Sequence, residues 1–149
     1  MPQITRILCA IDFSPTAERA LEYAVFLAER FQADLIALHV FQLPASALPE
    51  GVLEPLAELE QGLEQRLLER LQEFMAPRVP AGQRVTPLVA EGLPYHEIAE
   101  IARQRGADLL VMGTHGRTGL SHLLLGSVAE RVVRSATMPV VTVRGAGHE

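Results

Sequence analysis

The sequence predicts an α/β fold, a doubly wound parallel sheet of five strands with helices on both faces. Apolar runs of strand length alternate five times with stretches of helical periodicity along the 149 residues. The connections between successive strands are long enough for parallel crossovers. Apolar residues make up 48% of the composition, which is typical of a globular chain, so we expect a single domain over residues 1–149.

The first predicted strand covers residues 4–11, and a helix follows it. Ser14 is the expected N-cap, and Pro15 occupies the first helical position, where its missing N–H costs nothing. The apolar face of this helix is traced by Ala17, Ala20, Leu21, Ala24, Leu27, Ala28 and Phe31.

The second predicted strand, residues 35–41, is almost wholly apolar, as expected for a strand covered on both faces. Residues 53–74 then carry leucines every three or four positions, which predicts a long amphipathic helix. This helix could pair with a coiled-coil partner or lie on the sheet. We favour the sheet, because the leucine stripe is too short for a stable zipper.

The remaining elements complete the alternation. The third strand, residues 84–90, contains Pro87 and is therefore expected at an edge of the sheet. Pro94 opens a helix with Ile98, Ala99, Ile101 and Ala102 on its inner face. The fourth strand is predicted over residues 107–112, the last helix over 128–135 and the fifth strand over 139–143.

Glycines mark the junction between the fourth strand and the last helix. Gly113, Gly116, Gly126 and Ser127 form the pattern Gly-x2-Gly-x9-Gly-Ser. Glycine permits unusual backbone angles and close approach to a ligand, and the N-terminus of a helix attracts phosphate. A loop that merely turns is the simpler alternative. Ser127, with Glu130 three residues later, is predicted to form a capping box and to be the N-cap.

Several segments in sequence resemble the universal stress protein family (UspA-like), in its ATP-binding branch. They are Asp12 with Ser14, residues 91–94, 113–117 and 125–128, and residues 139–141. The resemblance implies strand order 3-2-1-4-5 in an adenine nucleotide alpha hydrolase-like fold. The order would then reverse between strands one and four, where open α/β sheets bind their ligands. The implied cofactor is ATP, with Mg²⁺ or Mn²⁺ bound through its phosphates.

The resemblance also assigns site residues. Asp12 and the nearby main chain would meet the adenine base, together with Val40, while the glycine-rich segment would line the ribose and phosphates. Asp12 could instead cap the first helix. The predicted nucleotide contacts are Ile11, Asp12, Val40, Met112, Gly113, His115, Gly116, Arg117, Gly126, Ser127 and Val128. Valine at Gly116 or Gly126 is expected to block the phosphates and leave the fold intact.

Charge and composition exclude several classes of function. The net charge of −5 argues against nucleic-acid and anionic-membrane surfaces, which need clustered positive charge. All 13 basic residues are arginine. The absence of lysine excludes a Walker-type phosphate loop and Schiff-base chemistry. Cys9 is the single cysteine, and no apolar leader or membrane-length run is present, so we expect a cytoplasmic protein without disulfides.

The other chemically capable residues are predicted to be structural. Asp34 and Asp108 each precede a strand, so we expect turn or cap roles at the opposite end of the sheet. His39 and Cys9 lie in apolar strands and are expected in the core. His96 and His122 are expected on helix surfaces, and no zinc pattern is present.

Catalysis is not expected to be fast. Hydrolysis needs a base or water-orienting group near the terminal phosphate, and Asp12 would lie at the adenine end. We therefore predict an ATP-binding regulatory module. The alternatives are a slow ATPase and a dimeric module that binds no nucleotide. The fifth strand, with its flanking residues 139–144, is an expected homodimer interface. Proline at Val141 or Val143 would weaken this interface if that N–H faces the partner.

Overall fold

The computed structural model describes residues 1–43, 54–115 and 124–145. These residues form one five-stranded sheet of order β3-β2-β1-β4-β5, in which every neighbouring pair is parallel. The predicted fold class and strand order are thus confirmed. The elements are β1 (Arg6–Ala10), α1 (Pro15–Phe31), β2 (Asp34–Phe41), α2 (Glu54–Met75), β3 (Val85–Glu91), α3 (Pro94–Gln104), β4 (Leu109–Gly113), α4 (Ser127–Ser135) and β5 (Val140–Val143).

Helices cover both faces of the sheet, and two apolar clusters fill the spaces between the layers. Residues of α1 and α2 pack on one face, and residues of α3 and α4 pack on the other. The predicted buried face of α1 is largely correct. Phe31 is the exception, because 47% of it is exposed, whereas Val25 is buried on that face.

The long helix α2 lies on the sheet, as favoured over a coiled-coil partner. Leu71 is fully buried and Met75 nearly so, and both belong to the cluster shared with α1, β1 and β2. The leucine stripe is not uniformly buried, since Leu59 is 42% exposed. The C-terminal half of the helix therefore anchors it.

The sheet edges follow the predictions. β3 is one edge, and it pairs on its inner side with β2 despite Pro87. β5 is the other edge. Two hydrogen bonds show which of its backbone groups face β4. The Leu110 N–H donates to Pro139 O at 3.0 Å, and the Thr114 N–H donates to Val143 O at 2.9 Å.

Because alternate residues of a strand face the same neighbour, residues 139, 141 and 143 direct their backbone polar groups towards β4. Residues 140, 142 and 144 direct theirs outward. Proline at Val141 or Val143 was expected to weaken the interface only if that N–H faces the partner, and this condition is not met, since these N–H groups face β4. Thr142 is the central residue with an outward N–H.

Asp34 and Asp108 lie at the amino ends of β2 and β4, away from the candidate site, as predicted. One Asp108 oxygen accepts hydrogen bonds from the Thr5 N–H at 2.8 Å and the Arg6 N–H at 3.0 Å. The bond from the Thr5 N–H is the main cause that holds the pKa of Asp108 below its ordinary value of 3.8. This carboxylate therefore fixes the start of β1, and its contribution to stability is lost only as the pH falls through that lowered pKa.

Within the described ranges, no helix is long and apolar enough to cross a membrane.

Candidate functional site

A pocket opens at the carboxyl edge of the sheet, where the strand order reverses between β1 and β4. Its volume is about 270 Å³, near the lower end of the roughly 300–1,000 Å³ of small-molecule sites. The ends of β1, β2 and β4 form its floor, and the N-terminal turns of α1, α3 and α4 form its walls. Its lining comprises Ala10, Ile11, Asp12, Ser14, Ala17, Leu38, Val40, Pro94, Ile98, Met112, Gly113, Thr114, His115, Gly126, Ser127, Val128 and Ala129.

Every predicted site residue that the structure describes lies in this lining. Ile11 and Asp12 follow β1, and Val40 lies near the end of β2. The others belong to β4, the segment after it and the start of α4: Met112, Gly113, His115, Gly126, Ser127 and Val128. Gly116 and Arg117 lie outside the described residues.

Sequence reasoning missed part of the wall. Pro94 and Ile98 bring the first turn of α3 to the pocket, and Thr114 contributes from inside the glycine segment. In the sequence, the segment 91–94 stands out only through the family resemblance. Its position after a strand of the same sheet was the signal that could have placed α3 beside the pocket.

Asp12 lines the pocket and also closes the turn before α1, although Ser14 and not Asp12 is the cap of that helix. One carboxylate oxygen accepts a hydrogen bond from the Ser14 N–H at 3.0 Å, which closes the turn into α1. The same side chain lines the pocket. Ser14 is the N-cap of α1, as predicted, and its hydroxyl oxygen accepts from the Ala17 N–H at 3.1 Å. The turn therefore holds Asp12 at the pocket.

His39 is half-buried and hydrogen-bonded, and it does not lie fully in the core, where it was expected. Its Nδ1 lies 2.7 Å from the carbonyl oxygen of Ile11 and donates to it, because a carbonyl can only accept. The bond ties the end of β1 to β2 just beneath the pocket.

The described glycines of the motif are required for close packing and not for unusual backbone angles. Gly113 has no positive φ, and a Cβ there would lie 2.5 Å from Thr16 Cγ2. Gly126 has an extended backbone with φ −70° and ψ 169°. A Cβ there would lie 3.1 Å from the carbonyl oxygen of Thr114. The expectation of special angles at Gly113 is therefore wrong.

The predicted capping box at α4 is also wrong. Gly126 is the N-cap, Ser127 is the first helical residue, and no side chain of the described residues caps the helix. In that box Glu130 would have to reach the Ser127 N–H, but with Gly126 as the N-cap it falls at the fourth helical position instead of the third. The Gly126 N–H donates to Thr114 O at 2.6 Å. Glu130 pairs with Arg134 one turn later at 2.6 Å. The helix thus reaches the pocket with its first N–H groups unclaimed by its own side chains.

The other two helices at the pocket are less suited to an anion. The start of α1 is occupied by the Ser14 side chain. The start of α3 has proline at its first position and therefore lacks one N–H. Because helix N-termini bind anions through free N–H groups and a positive dipole end, α4 offers the best place for a negative group.

The pocket contains little side-chain charge. Among its described lining residues, Asp12 is the only charged one. Nδ1 of His115 lies 3.0 Å from the Thr114 hydroxyl oxygen, and its Nε2 is buried without a partner in the described part of the chain. The described ranges contain no group of three His, Cys, Asp or Glu residues that could hold a metal. An anion here would be met by backbone N–H groups and hydroxyls.

Cys9 takes no part in this site. It is fully buried in β1, and burial raises the pKa of its thiol to about 12. A thiol with such a pKa stays protonated at neutral pH and is a poor nucleophile.

The model of the universal stress protein family matches residues 3–144. The chain belongs to the universal stress protein family. The resemblance found in the sequence is thereby confirmed at the level of the family.

Individual relatives agree with this assignment. Universal stress protein MJ0531 of Methanocaldococcus jannaschii is 38% identical, over 93% of this chain and 81% of the relative. The solved structure of protein MJ0577, known from the same organism, has a TM-score of 0.76 and is 31% identical, over 97% of this chain and 99% of that one. The structure of UspA from Lactobacillus plantarum has a TM-score of 0.74 and is 30% identical, over 95% of this chain and 99% of that one.

Proposed function

We propose that this universal stress protein binds ATP in the pocket between β1 and β4 and acts as a nucleotide-dependent regulatory module. The observation that carries the proposal is the uncapped start of α4, which opens into a largely apolar pocket at the switch point of the sheet. One end of such a site suits a flat apolar base, and the other suits phosphate.

The base would lie at the β1–β2 side. Ile11, Leu38 and Val40 offer an apolar surface there, and Asp12 supplies an acceptor. An exocyclic amino group such as that of adenine is the matching donor, whereas the carbonyl that guanine carries at the same ring position would be repelled. This arrangement favours adenine nucleotides.

The phosphates would lie at the start of α4. The N–H groups of its first turn and the Ser127 hydroxyl can donate to phosphate oxygens. No lysine is available in the whole sequence. Because few side-chain charges face the pocket, we propose that Mg²⁺ or Mn²⁺ accompanies the nucleotide, held mainly by the phosphates and water.

Two further proteins of this fold support nucleotide binding as a class. A universal stress protein solved in complex with cAMP has a TM-score of 0.69 and 22% identity. The universal stress protein from Archaeoglobus fulgidus, solved in complex with dAMP, has a TM-score of 0.59 and 20% identity. At these identities the likeness concerns the fold, so the geometry of the pocket carries the proposal.

Turnover should be slow, below the ~1–100 s⁻¹ of dedicated kinases. The only carboxylate among the described lining residues, Asp12, lies at the proposed base end, so we find no base there for the terminal phosphate. A steady-state ATPase assay on purified protein measures this. Turnover inside that range that is lost in Ser127→Ala would favour the alternative function, an ATPase.

We also propose that the protein is a homodimer through β5, with the flanking residues 139–144. β5 ends the sheet, and on its outer side no described strand pairs with it. An unpaired strand edge is a template for a second chain, and a two-fold axis makes such a contact self-complementary. With one cysteine, neither the fold nor this interface needs an oxidising compartment, in keeping with a cytoplasmic location.

The direct test of function is to denature the protein as purified and to chromatograph the supernatant. Adenine nucleotide at a fixed ratio to protein supports the proposal. If nothing is retained, titration with ATP decides, because weak binding is lost during purification.

A further inference from the structure

Phe13 directly follows Asp12 and has a backbone conformation that is costly for its residue type. Its φ is 66°, in the left-handed region. Among the described non-glycine residues, only Gln32 shares a positive φ, and Gln32 is the C-cap of α1, where this conformation is common. Glycine would adopt the Phe13 conformation without strain. A bulky residue at such a position indicates that its side chain has a use.

The Phe13 ring is held by contacts from two elements. The His39 ring of β2 lies 4.5 Å from it between centroids, and the Phe74 ring of α2 meets it edge-on at 5.6 Å. The Arg70 guanidinium of α2 lies 4.1 Å from its centroid, a cation–π contact. His39 also bonds the Ile11 carbonyl, so the ring sits against the group that fixes the floor of the pocket.

Arg78 fixes the α2 side of this arrangement. Its guanidinium lies 4.7 Å from the Phe74 ring and donates to the Phe74 carbonyl oxygen at 2.7 Å. It also pairs with Glu18 of α1 at 3.1 Å. The Phe13 cluster, comprising Phe13, His39, Arg70, Phe74 and Arg78, therefore joins the turn that carries Asp12 to the C-terminal half of α2.

We propose that Phe13 is a positioning residue that holds Asp12 at the base end of the pocket, and that through Arg70 it couples nucleotide binding to α2. The proposal rests on the function proposed above. A ligand that needs Asp12 in place favours the conformation in which the cluster is formed. Because such coupling is reciprocal, bound nucleotide stabilises the contact between Phe13 and α2.

Substitution of Phe13 tests whether its ring contributes to ATP binding or whether the residue serves only to form the turn. Phe13→Gly relieves the backbone strain but removes the ring, and Phe13→Leu keeps apolar volume without an aromatic face. Both should bind ATP about tenfold more weakly than wild type, while Phe13→Tyr restores the affinity. Calorimetry measures the affinities, and thermal melting without nucleotide confirms that each variant is folded. If folded Phe13→Gly binds ATP as wild type does, the inference is overturned.

Arg70 tests the coupling from outside the pocket. Arg70→Ala should weaken ATP binding about threefold, whereas Arg66→Ala, one turn earlier on the exposed surface of α2, should leave it unchanged. In hydrogen exchange, ATP should protect the amides of residues 67–75 in wild type, and this protection should be reduced in Arg70→Ala. Equal affinity and equal protection in both variants would overturn the coupling. If wild type itself binds no ATP, the proposed function fails, which is a distinguishable result.

Discussion

Gly126→Val should lower the affinity for ATP by more than about tenfold and should also destabilise the fold. A Cβ at this position meets the Thr114 carbonyl oxygen at 3.1 Å and His115 Cα at 3.4 Å. Two backbone segments that are joined by a hydrogen bond of 2.6 Å must therefore shift apart by a few tenths of an ångström, and both form the pocket wall. Overpacking of this kind costs about 1–3 kcal/mol. The expectation that valine here leaves the fold intact is therefore revised to one of a folded but less stable protein.

Gly62→Val is the matched control for this change. A Cβ at Gly62, on the exposed surface of α2, meets nothing within 4 Å. The same residue exchange should therefore leave ATP affinity at the wild-type value. Calorimetry and thermal melting on both variants measure the two effects. Wild-type affinity in a folded Gly126→Val protein would place the phosphates elsewhere.

Thr142→Pro should convert the proposed dimer to monomer at micromolar concentration. The Thr142 N–H faces the outer edge of β5, so proline removes a donor from the interface without breaking the ladder to β4. A two-fold axis repeats the loss in both copies. At about 1–3 kcal/mol for each unsatisfied group, the dimer dissociation constant should rise about 30-fold or more.

Light scattering over a dilution series measures this constant. Thr142→Val is the control, because it keeps both the N–H and the β-branched shape. A monomeric wild type would refute the dimer. A dimer that Thr142→Pro leaves intact would move the interface away from β5.

Much of the fold could be predicted because it depends on periodicity over long segments. The apolar runs of β2 and β4 and the helical spacing of α1 are strong signals, and parallel pairing follows from their alternation. The exposure of Phe31 could not be predicted, because helical spacing places it near the buried face but not where the sheet ends. Strand ends shifted for a similar reason, as with β1, predicted over residues 4–11 and observed over Arg6–Ala10.

The pocket residues that follow strands were predictable because the carboxyl ends of parallel strands meet at one edge. Two details at this edge were not. Ser127 and Glu130 match a capping box in sequence, but the N-cap is Gly126, whose N–H has a tertiary partner in Thr114 that no local pattern reveals. The cluster around Phe13 joins residues from three separate elements, and only the folded chain brings Arg70 and His39 to one ring.

The proposed function depends most on the binding of phosphate by the N–H groups at the start of α4. Ser127 is the first helical residue, where proline is tolerated because its N–H has no helical partner. Calorimetric titration of Mg·ATP into nucleotide-free wild type, Ser127→Ala and Ser127→Pro separates the hydroxyl from the N–H. We predict one site per chain in wild type and an affinity at least about tenfold lower in Ser127→Pro than in Ser127→Ala. No binding by wild type, or equal affinities in the two variants, would contradict phosphate binding by these N–H groups.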